Sequence, residues 1–300
     1  MPSQDRKPHG EAGSPGSGPG FVDQHVHPES GPYTPADYPI SWFEQYVKAA
    51  ARRQVQAIGL VEHAYRFEEA RGLLDVPWAD RRCLYHLAQY DQHREAISRA
   101  GLPIRFGLEV DHVPGKTQAL QDFLTLRKWD LLLGSVHWLG DFPIDIDPDH
   151  WRGHSPDDVW EAYTEAVEDL CKSRLYDVLT HPDLPKLFGH RPKRDPNGWY
   201  RRIAQALANA DMAIELNTKG LNRPVRALYP AQEFLAEAYA RNVPISLGSD
   251  AHEPERVGEH FDLAARMARN VGYRTFVAFR ERIREELPLP PAPDPDPDPE

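Results

Sequence analysis

Cysteine is scarce in this chain, and its two cysteines show no spacing that is typical of a metal site. Cys83 and Cys171 are far apart, each in a segment with a helical pattern. Zinc fingers and iron–sulfur sites need closely spaced cysteines, so the sequence argues against both classes. A chain of 300 residues buries enough apolar surface to fold without disulfides. We therefore interpret both residues as structural thiols in a reducing cytosol.

The sequence also lacks long apolar runs and an excess of basic residues. No apolar run approaches the ~20 residues of a membrane span, and the N-terminal segment lacks the apolar region of a secretory signal. We expect a cytoplasmic protein that does not bind membranes. The net charge of −11, from 35 basic and 46 acidic residues, argues against a general nucleic-acid surface. An anionic small molecule stays open as a substrate, because bound divalent ions reverse the local field.

Composition divides the chain into one domain and two tails. Residues 1–19 are rich in Gly, Pro and Ser, and residues 288–300 form a Pro/Asp segment that cannot continue a helix or pack a core. We expect both tails to be disordered and residues 20–287 to form a single domain.

Between the tails, strand-like apolar runs alternate with amphipathic helical stretches. Near 156–173, for example, Val159, Trp160 and Tyr163 follow a helical period. Short buried strands that alternate with helices predict right-handed βαβ units and a parallel sheet. The predicted strands are 20–26, 56–62, 103–109, 130–136, 176–181, 212–217 and 244–249. The predicted helices are 41–54, 79–100, 116–127, 156–173, 197–210, 230–242 and 256–271.

Polar motifs stand at the carboxyl ends of the predicted strands and indicate how the sheet closes. In an α/β barrel the functional residues gather at these ends and in the loops that follow. A doubly wound open sheet is the alternative, but it would not bring seven strand ends around one point. We therefore predict a closed barrel. The motifs are Asp23-x-His25-x-His27, Glu62-His63, Gly107-x-Glu109, Ser135-Val136-His137, Thr180-His181-Pro182-Asp183, Glu215-Leu216-Asn217 and Ser249-Asp250-Ala251-His252.

The chemistry of these motifs indicates a metal centre. Imidazole nitrogen and carboxylate oxygen are ligands of Zn, Mn and Fe, and alternate residues of a strand point the same way, so His25 and His27 can reach one ion together. Asp23 can hold the second ring nitrogen of such a histidine. Each motif alone has a simpler explanation: Asp250 can cap a helix, and His181 can belong to a turn. Six such motifs in register with six strands favour the metal interpretation over chance.

The other histidines lack this pattern. His86 and His93 lie on a polar helical stretch, and we expect them, like His260, at the surface. Four more histidines lie in loops that can border a site, and their role is left open: His112, His150, His154 and His190.

Taken in order, the motifs resemble those of the PHP (polymerase and histidinol phosphatase) superfamily, over about residues 21–275. The loop 181–191 and the segment 217–230 resemble, more narrowly, the histidinol-phosphate phosphatases of that group. The resemblance implies the α/β class, with a distorted (β/α)7 TIM-like barrel and two or three divalent metal ions (Zn, Mn or Fe). The supporting stretches are Gly107-Leu-Glu-Val-Asp111, Gly134-Ser-Val-His-Trp138, His181-Pro-Asp-Leu-Pro-Lys-Leu-Phe-Gly-His-Arg191, Asn217-Thr-Lys-Gly-Leu221 and Gly248-Ser-Asp-Ala-His252.

The resemblance also implies which residues hold the metals. Glu109 would bridge two of the ions, and each ion would have further ligands of its own. The first metal would be held by His25, His27, Glu109 and Asp250. The second would be held by Glu109, His137 and His181. A third would use His63 and His252 together with a histidine at the position that Tyr33 occupies in this chain.

The chain departs from the family pattern at three positions. Tyr33 replaces a histidine ligand of the third metal, so that site has lost a nitrogen ligand. Glu62 stands where relatives more often carry aspartate. Asn222 stands where relatives often carry arginine, and the adjacent Arg223 can substitute for it.

For the reaction we predict direct hydrolysis of a phosphate monoester by a metal-bound hydroxide. The sequence shows no activated Ser or Cys nucleophile and no Gly-rich phosphate loop. Arg191 and Arg223 are the candidates for binding phosphate, because a guanidinium can bond two phosphate oxygens at once. Asp183 and Glu215 are the candidates for the ammonium group of an amino alcohol such as histidinol. The candidates for protonating the leaving alkoxide are Glu62 and His252.

These observations predict an enzyme that converts L-histidinol phosphate into L-histidinol and phosphate in histidine biosynthesis. The change at Tyr33 keeps an alternative open, a phosphoesterase of the same superfamily that acts on a nucleotide, a sugar phosphate or phosphotyrosine. A non-enzymatic metal-binding or polymerase-accessory module would need degraded motifs, yet the ligands of the two-metal centre are intact. The sequence leaves the oligomeric state open.

Overall fold

The seven predicted strands form one parallel sheet in the computed structural model, which describes residues 20–29 and 37–291. In their order across the sheet, the strands are β1 (Phe21–Val26), β2 (Val55–His63), β3 (Ile104–Asp111), β4 (Leu131–Ser135), β7 (Val178–Leu179), β8 (Ala213–Asn217) and β9 (Ile245–Gly248). Every neighbouring pair in this order is parallel. Two antiparallel hairpins complete the strands: β5 (Trp138–Leu139) with β6 (Phe142–Pro143), and β10 (Thr275–Arg280) with β11 (Ile283–Pro288).

Helices connect consecutive strands of the sheet, as the alternating pattern predicts. The longest, α5, begins with Pro156 and two aspartates, which suit the positive end of a helix, and ends where Arg174 adopts a left-handed backbone. The described helices are α1 (Ile40–Arg52), α2 (Pro77–Asp80), α3 (Leu87–Arg99), α4 (Thr117–Leu124), α5 (Pro156–Ser173), α6 (Asn197–Ala210), α7 (Gln232–Tyr239) and α8 (Phe261–Val271).

The sheet curls so that its first and last strands approach each other. Val26, the last residue of β1, forms a parallel bridge with Ala251, just beyond β9. The backbone N–H of His27 donates to the carbonyl of Ala251 at 2.7 Å. The sheet is therefore a nearly closed, distorted (β/α)7 barrel in a single domain, and the predicted fold class is confirmed.

The C-terminal hairpin packs against the inside of this barrel. Val277 and Phe279 of β10 join a buried apolar cluster with residues of β2, β4, β7 and β8, which lie around the sheet. The side chain of Gln24 in β1 bonds the backbone of both Val277 and Phe279. Arg105, near the amino end of β3, donates to the carbonyl of Phe279 at 2.9 Å. Because the hairpin fills the barrel from the amino ends of the strands, the carboxyl ends are left to form a site.

The structure corrects several predictions. The predicted helix 79–100 is interrupted: α2 ends at Asp80, and α3 begins only at Leu87. Tyr85 between them is buried and forms a bridge with Phe67, and this tertiary contact outweighs the helical pattern. His93 is not at the surface but 8% exposed, with its ring against the rings of Tyr38 and Phe43.

Other predicted features fall at or beyond the edges of the described residues. Tyr33 and the predicted tail 1–19 lie outside them. Of the predicted tail 288–300, residues 288–291 are described, and Leu289 there is buried. The two hairpins have no counterpart among the predicted elements. None of the helices within the described ranges is long and apolar enough to cross a membrane.

Gly107 on β3 shows how closely the barrel strands approach one another. A Cβ atom added there would lie 2.4 Å from the carbonyl oxygen of Leu131 on β4. We expect Gly107→Ala to lower the free energy of unfolding by about 1–3 kcal/mol, since a backbone atom must move to make room. Chemical denaturation monitored by circular dichroism measures the change. The control is Gly198→Ala in α6, where an added Cβ meets nothing within 4 Å. An equal unfolding midpoint for Gly107→Ala and the unchanged protein would contradict this packing.

Candidate metal centre

Glu109 on β3 stands at the centre of a ring of histidines. It is 1% exposed, and its Oε2 lies 3.3 Å from Nε2 of His25, 3.3 Å from Nε2 of His27 and 3.0 Å from Nδ1 of His63. These residues end β1 and β2 or follow directly, and carboxyl ends of parallel strands meet at the same edge of a sheet. The strand order alone therefore gathers them around one oxygen.

The other oxygen of Glu109 faces a second pair of histidines. Its Oε1 lies 3.3 Å from Nε2 of His137 and 3.0 Å from Nε2 of His181. The two Nε2 atoms are 3.2 Å apart. His137 follows β4 and His181 follows β7, on the far side of β3 from β1 and β2. The carboxylate of Glu109 thus separates two groups of imidazoles.

Asp250 and His252 complete the centre from the loop after β9. Oδ1 of Asp250 lies 3.8 Å from Nε2 of His25 and 3.7 Å from Nε2 of His27. Asp250 has a φ of +52°, a left-handed conformation that aspartate tolerates better than most residues. Lys219 places its Nζ 2.6 Å from the same Oδ1.

Two further carboxylates fix the orientation of the histidine rings. Nδ1 of His25 bonds Oε1 of Glu215 at 2.7 Å, and Nδ1 of His137 bonds Oδ1 of Asp111 at 2.8 Å. If each Nδ1 carries the proton and donates, the lone pair of each Nε2 faces Glu109. We predicted this holding role for Asp23, and the structure contradicts that. Asp23 instead accepts bonds from Ser249 and from the backbone of Gly258.

The charges of the centre shift the pKa values of its members. Burial by itself would raise the pKa of Glu109, but the surrounding imidazoles, with His25 foremost, hold it well below its usual range. Burial and the neighbouring His63 lower the pKa of His27 well below 6.5. Burial would also lower the pKa of His137, but Asp111 and Glu109 outweigh it and raise the pKa to about 10. The centre is thus a set of buried charges that depend on one another.

The donor atoms fit metal ions. Nε2 of His25 and Nε2 of His27 lie 2.9 Å apart, and a cation between two such nitrogens relieves the repulsion of their lone pairs. Nδ1 of His63 is buried and has no hydrogen bond of proper geometry among the described residues, although Glu109 is close. In each of three groups of residues, the possible ligand atoms lie within 4.8 Å of one another. The groups are His25, His27 and Glu109; Glu109, His137 and His181; and His27, His63 and His252. The structure therefore brings together all eight residues that the sequence singles out as metal ligands.

A pocket of about 190 Å³ opens over this centre. Its walls include the aromatic side chains of Tyr65, Trp78 and Trp138. Lys219 and Asp145 also line it, and neither was predicted from the sequence as a site residue. Both lie in loops, where no periodic pattern shows the direction of a side chain, so the only signal was their position shortly after a strand-end motif.

The four predicted substrate-binding residues differ in their placement. Arg223 lines the pocket, whereas Arg191 is exposed outside it. Asp183 is fully buried, where it pairs with Lys186 at 2.6 Å and accepts from the backbone of Ala231. Glu215 is also buried, and its carboxylate forms hydrogen bonds with the ring of His25, the backbone N–H of His181 and the side chain of Asn217.

The two candidate proton donors, Glu62 and His252, differ in whether they reach the pocket, and His112, whose role the sequence left open, lies outside it. His252 lines the pocket, whereas Glu62 does not; Glu62 is fully buried, and burial raises its pKa to about 7. His112 is buried outside the pocket, where it bonds Asp169 of α5 at 2.9 Å.

Comparison with known proteins identifies the family. The PHP domain model matches residues 25–219 of the chain. The chain belongs to the PHP domain family. It is 34% identical over 271 residues to the protein named probable histidinol-phosphatase of Deinococcus radiodurans, covering 88% of this chain and 98% of that protein. It is 24% identical to the histidinol-phosphatase of Bacillus subtilis, covering 80% of this chain and 96% of the relative.

A solved structure has the same fold. The crystal structure of histidinol phosphate phosphatase from Lactococcus lactis, in complex with zinc, L-histidinol and phosphate, aligns with a TM-score of 0.70. The alignment covers 88% of this chain and 98% of that chain at 18% identity. At this identity the likeness shows the fold, and it confirms the distorted barrel.

Metal binding by this centre can be tested without a substrate. We expect Mn²⁺ at about 100 times its dissociation constant to stabilise the folded protein by ~2.7 kcal/mol, because the unfolded chain has no preformed site. Differential scanning calorimetry measures the rise in the unfolding temperature. His137→Ala should lose most of this rise, since it removes a nitrogen that faces Glu109.

The matched control for that variant is His112→Ala. His112 is also a buried histidine bonded to a carboxylate, but it lies outside the pocket. We expect its variant to be less stable and yet to keep the full rise with Mn²⁺. An equal rise in both variants would contradict the metal centre.

Proposed function

We propose that this chain hydrolyses L-histidinol phosphate to L-histidinol and phosphate, as a metal-dependent phosphoric monoester hydrolase of histidine biosynthesis. The chain aligns over almost the whole length of two relatives, which are named probable histidinol-phosphatase and histidinol-phosphatase. The observation that carries the proposal is the Glu109 carboxylate, which stands between two groups of imidazoles at the base of a pocket that also holds Arg223. A cytoplasmic location stays a prediction, as does the absence of nucleic-acid and membrane partners.

The chain's own residues would hold two ions at this centre. We propose His25, His27, Glu109 and Asp250 for one, and Glu109, His137 and His181 for the other. When bound, such ions make water a better nucleophile at neutral pH and neutralise the charge of a phosphate. The mixed nitrogen and oxygen donors suit Zn, Mn and Fe alike.

The surrounding residues prepare this reaction by holding atoms in place. Asp111 and Glu215 bond Nδ1 of His137 and Nδ1 of His25, and so hold both Nε2 atoms toward the centre. Tyr65, Trp78 and Trp138 line the pocket with aromatic surface. A phosphate that enters would meet the fixed charges of the centre at low dielectric, where they act most strongly.

The pocket also offers partners for both ends of histidinol phosphate. The guanidinium of Arg223 is available to the phosphate. For the ammonium group we propose Asp145, because it lines the pocket while Asp183 and Glu215 are engaged inside the protein. The aromatic side chains provide flat surfaces on which an imidazole can stack.

A panel of phosphate esters tests the proposed substrate. With Mn²⁺, Zn²⁺ or Fe²⁺ added, we expect kcat/KM for L-histidinol phosphate to exceed that for AMP, glucose 6-phosphate and phosphotyrosine by about 100-fold or more. Release of inorganic phosphate is the measurement. His137→Ala, purified in the same way, excludes a contaminating phosphatase. Preference for a nucleotide, sugar phosphate or phosphotyrosine would support the alternative phosphoesterase instead.

Arg223 provides a test of phosphate recognition. We expect Arg223→Ala to raise KM for the phosphate ester about ten-fold or more, since a hydrogen bond to a charged group is lost. Steady-state kinetics measure the change. Arg191→Ala is the control, because the structure places Arg191 outside the pocket. An unchanged KM for Arg223→Ala would remove this residue from the phosphate site.

A further inference from the structure

Lys219 lies where the resemblance would place part of a third metal site. Its Nζ lies 2.6 Å from Oδ1 of Asp250 and 3.2 Å from Nδ1 of His252. Lys219 begins the short turn Lys219–Asn222 directly after β8, and its backbone N–H donates to Oδ1 of Asn217 at 2.9 Å. The side chain is only 22% exposed and lines the pocket. Its ammonium group is thus held at the centre from one side.

His252 has a partner on each ring nitrogen. Nδ1 lies 3.2 Å from Nζ of Lys219 and 3.1 Å from the carbonyl oxygen of Asp250, and Nε2 lies 2.9 Å from Oε1 of Glu29. The other oxygen of Glu29 pairs with the guanidinium of Arg66. A metal ion on His252 would therefore have to displace either an ammonium group or a carboxylate that is already paired.

Apart from His252, the described residues offer few ligands for a third metal ion. Nitrogen atoms of His27, His63 and His252 do lie within 4.8 Å of one another. However, Nε2 of His27 and Nδ1 of His63 both face Oε2 of Glu109, at 3.3 and 3.0 Å, and so point toward the two-metal centre. Tyr33, where the resemblance implies a histidine, offers no imidazole.

Within residues 20–29 and 37–291, the hydrogen bonds of Lys219 leave it at least one donor. An ammonium group has three N–H bonds, and Asp250 and His252 can accept at most two of them. The third N–H has no partner among these residues and can donate to a ligand in the pocket. A lysine ammonium is a compact positive charge that suits a phosphate oxygen.

We propose that the ammonium group of Lys219 takes the place of a third metal ion, so that the chain binds two ions and Lys219 supplies the additional positive charge to a phosphate oxygen. The proposal rests on the proposed function only in that the ligand carries a phosphate group. Asp250 then connects Lys219 with the residues proposed for the first ion. Its Oδ1 pairs with Lys219 and lies 3.8 and 3.7 Å from the Nε2 atoms of His25 and His27.

The first test counts the metal ions. The full chain is loaded with Mn²⁺, freed of excess metal by gel filtration and measured by elemental analysis. We expect two Mn²⁺ per chain. Three Mn²⁺ per chain would overturn the proposal, and this result depends on no variant.

The second test measures inorganic phosphate binding to the Mn²⁺-loaded protein by isothermal titration calorimetry. Lys219→Met keeps the length of the side chain and removes its charge. We expect it to retain two Mn²⁺ and to bind phosphate about ten-fold or more weakly, because a charge-assisted hydrogen bond is lost. Unchanged phosphate affinity in a variant that retains its Mn²⁺ would overturn the proposal.

Lys186→Met is the matched control. Lys186 also pairs with an aspartate at 2.6 Å, in this case Asp183, but it lies outside the pocket. We expect its phosphate affinity to equal that of the unchanged protein. An equal loss in both lysine variants would show a general effect of removing an ion pair and would overturn the role of Lys219. Neither the metal count nor phosphate binding involves histidinol phosphate. Both results can therefore be interpreted even if histidinol phosphate is not the substrate.

Discussion

A carboxylate that is 1% exposed is costly unless opposite charge surrounds it, and Glu109 meets this requirement with imidazoles on both of its oxygens. The rest of the site follows from this constraint. The imidazoles must come from strands on both sides of β3, because each oxygen faces a different way. Only a sheet that curls back on itself brings the end of β1, with His25, and the loop after β7, with His181, to one carboxylate. The barrel and the bridging glutamate therefore depend on each other.

The hydrogen-bonded pairs outside this ring of histidines also place opposite charges next to each other. Asp111 and Glu215 each hold a histidine nitrogen that does not face the centre, and Lys219 holds Asp250. Each of these contacts turns a flexible side chain into a fixed donor, and each would leave an uncompensated buried charge if it were broken. Cations bound at the centre would replace contacts between like groups, such as the two nitrogens of His25 and His27, with attraction. We therefore expect metal binding and folding to be coupled through the same few residues.

The positions of strands were predictable from sequence because their apolar runs and polar ends are local signals. The helices 156–173 and 197–210 were predicted to the residue, since a proline or a turn bounds each of them. Tertiary contacts decided what local patterns could not. The burial of Tyr85 divides the predicted helix 79–100, and β11, which pairs with β10, is rich in charged residues and largely exposed, so it lacks the apolar run of a barrel strand. At the site, the residue types were predictable and their partners were not. Asp183 and Glu215 have the right chemistry for an ammonium group but are buried with other partners, whereas Lys219 and Asp145 reach the pocket from loops.

The most direct test of the Glu109 bridge is a crystal structure of the Mn²⁺-loaded protein with an anomalous difference map recorded at the manganese edge. The account predicts two peaks about 3.5–4 Å apart, one on each side of the Glu109 carboxylate. One peak would lie among His25, His27 and Asp250, and the other between His137 and His181. Peaks confined to the surface, or a single ion that Glu109 does not touch, would contradict it.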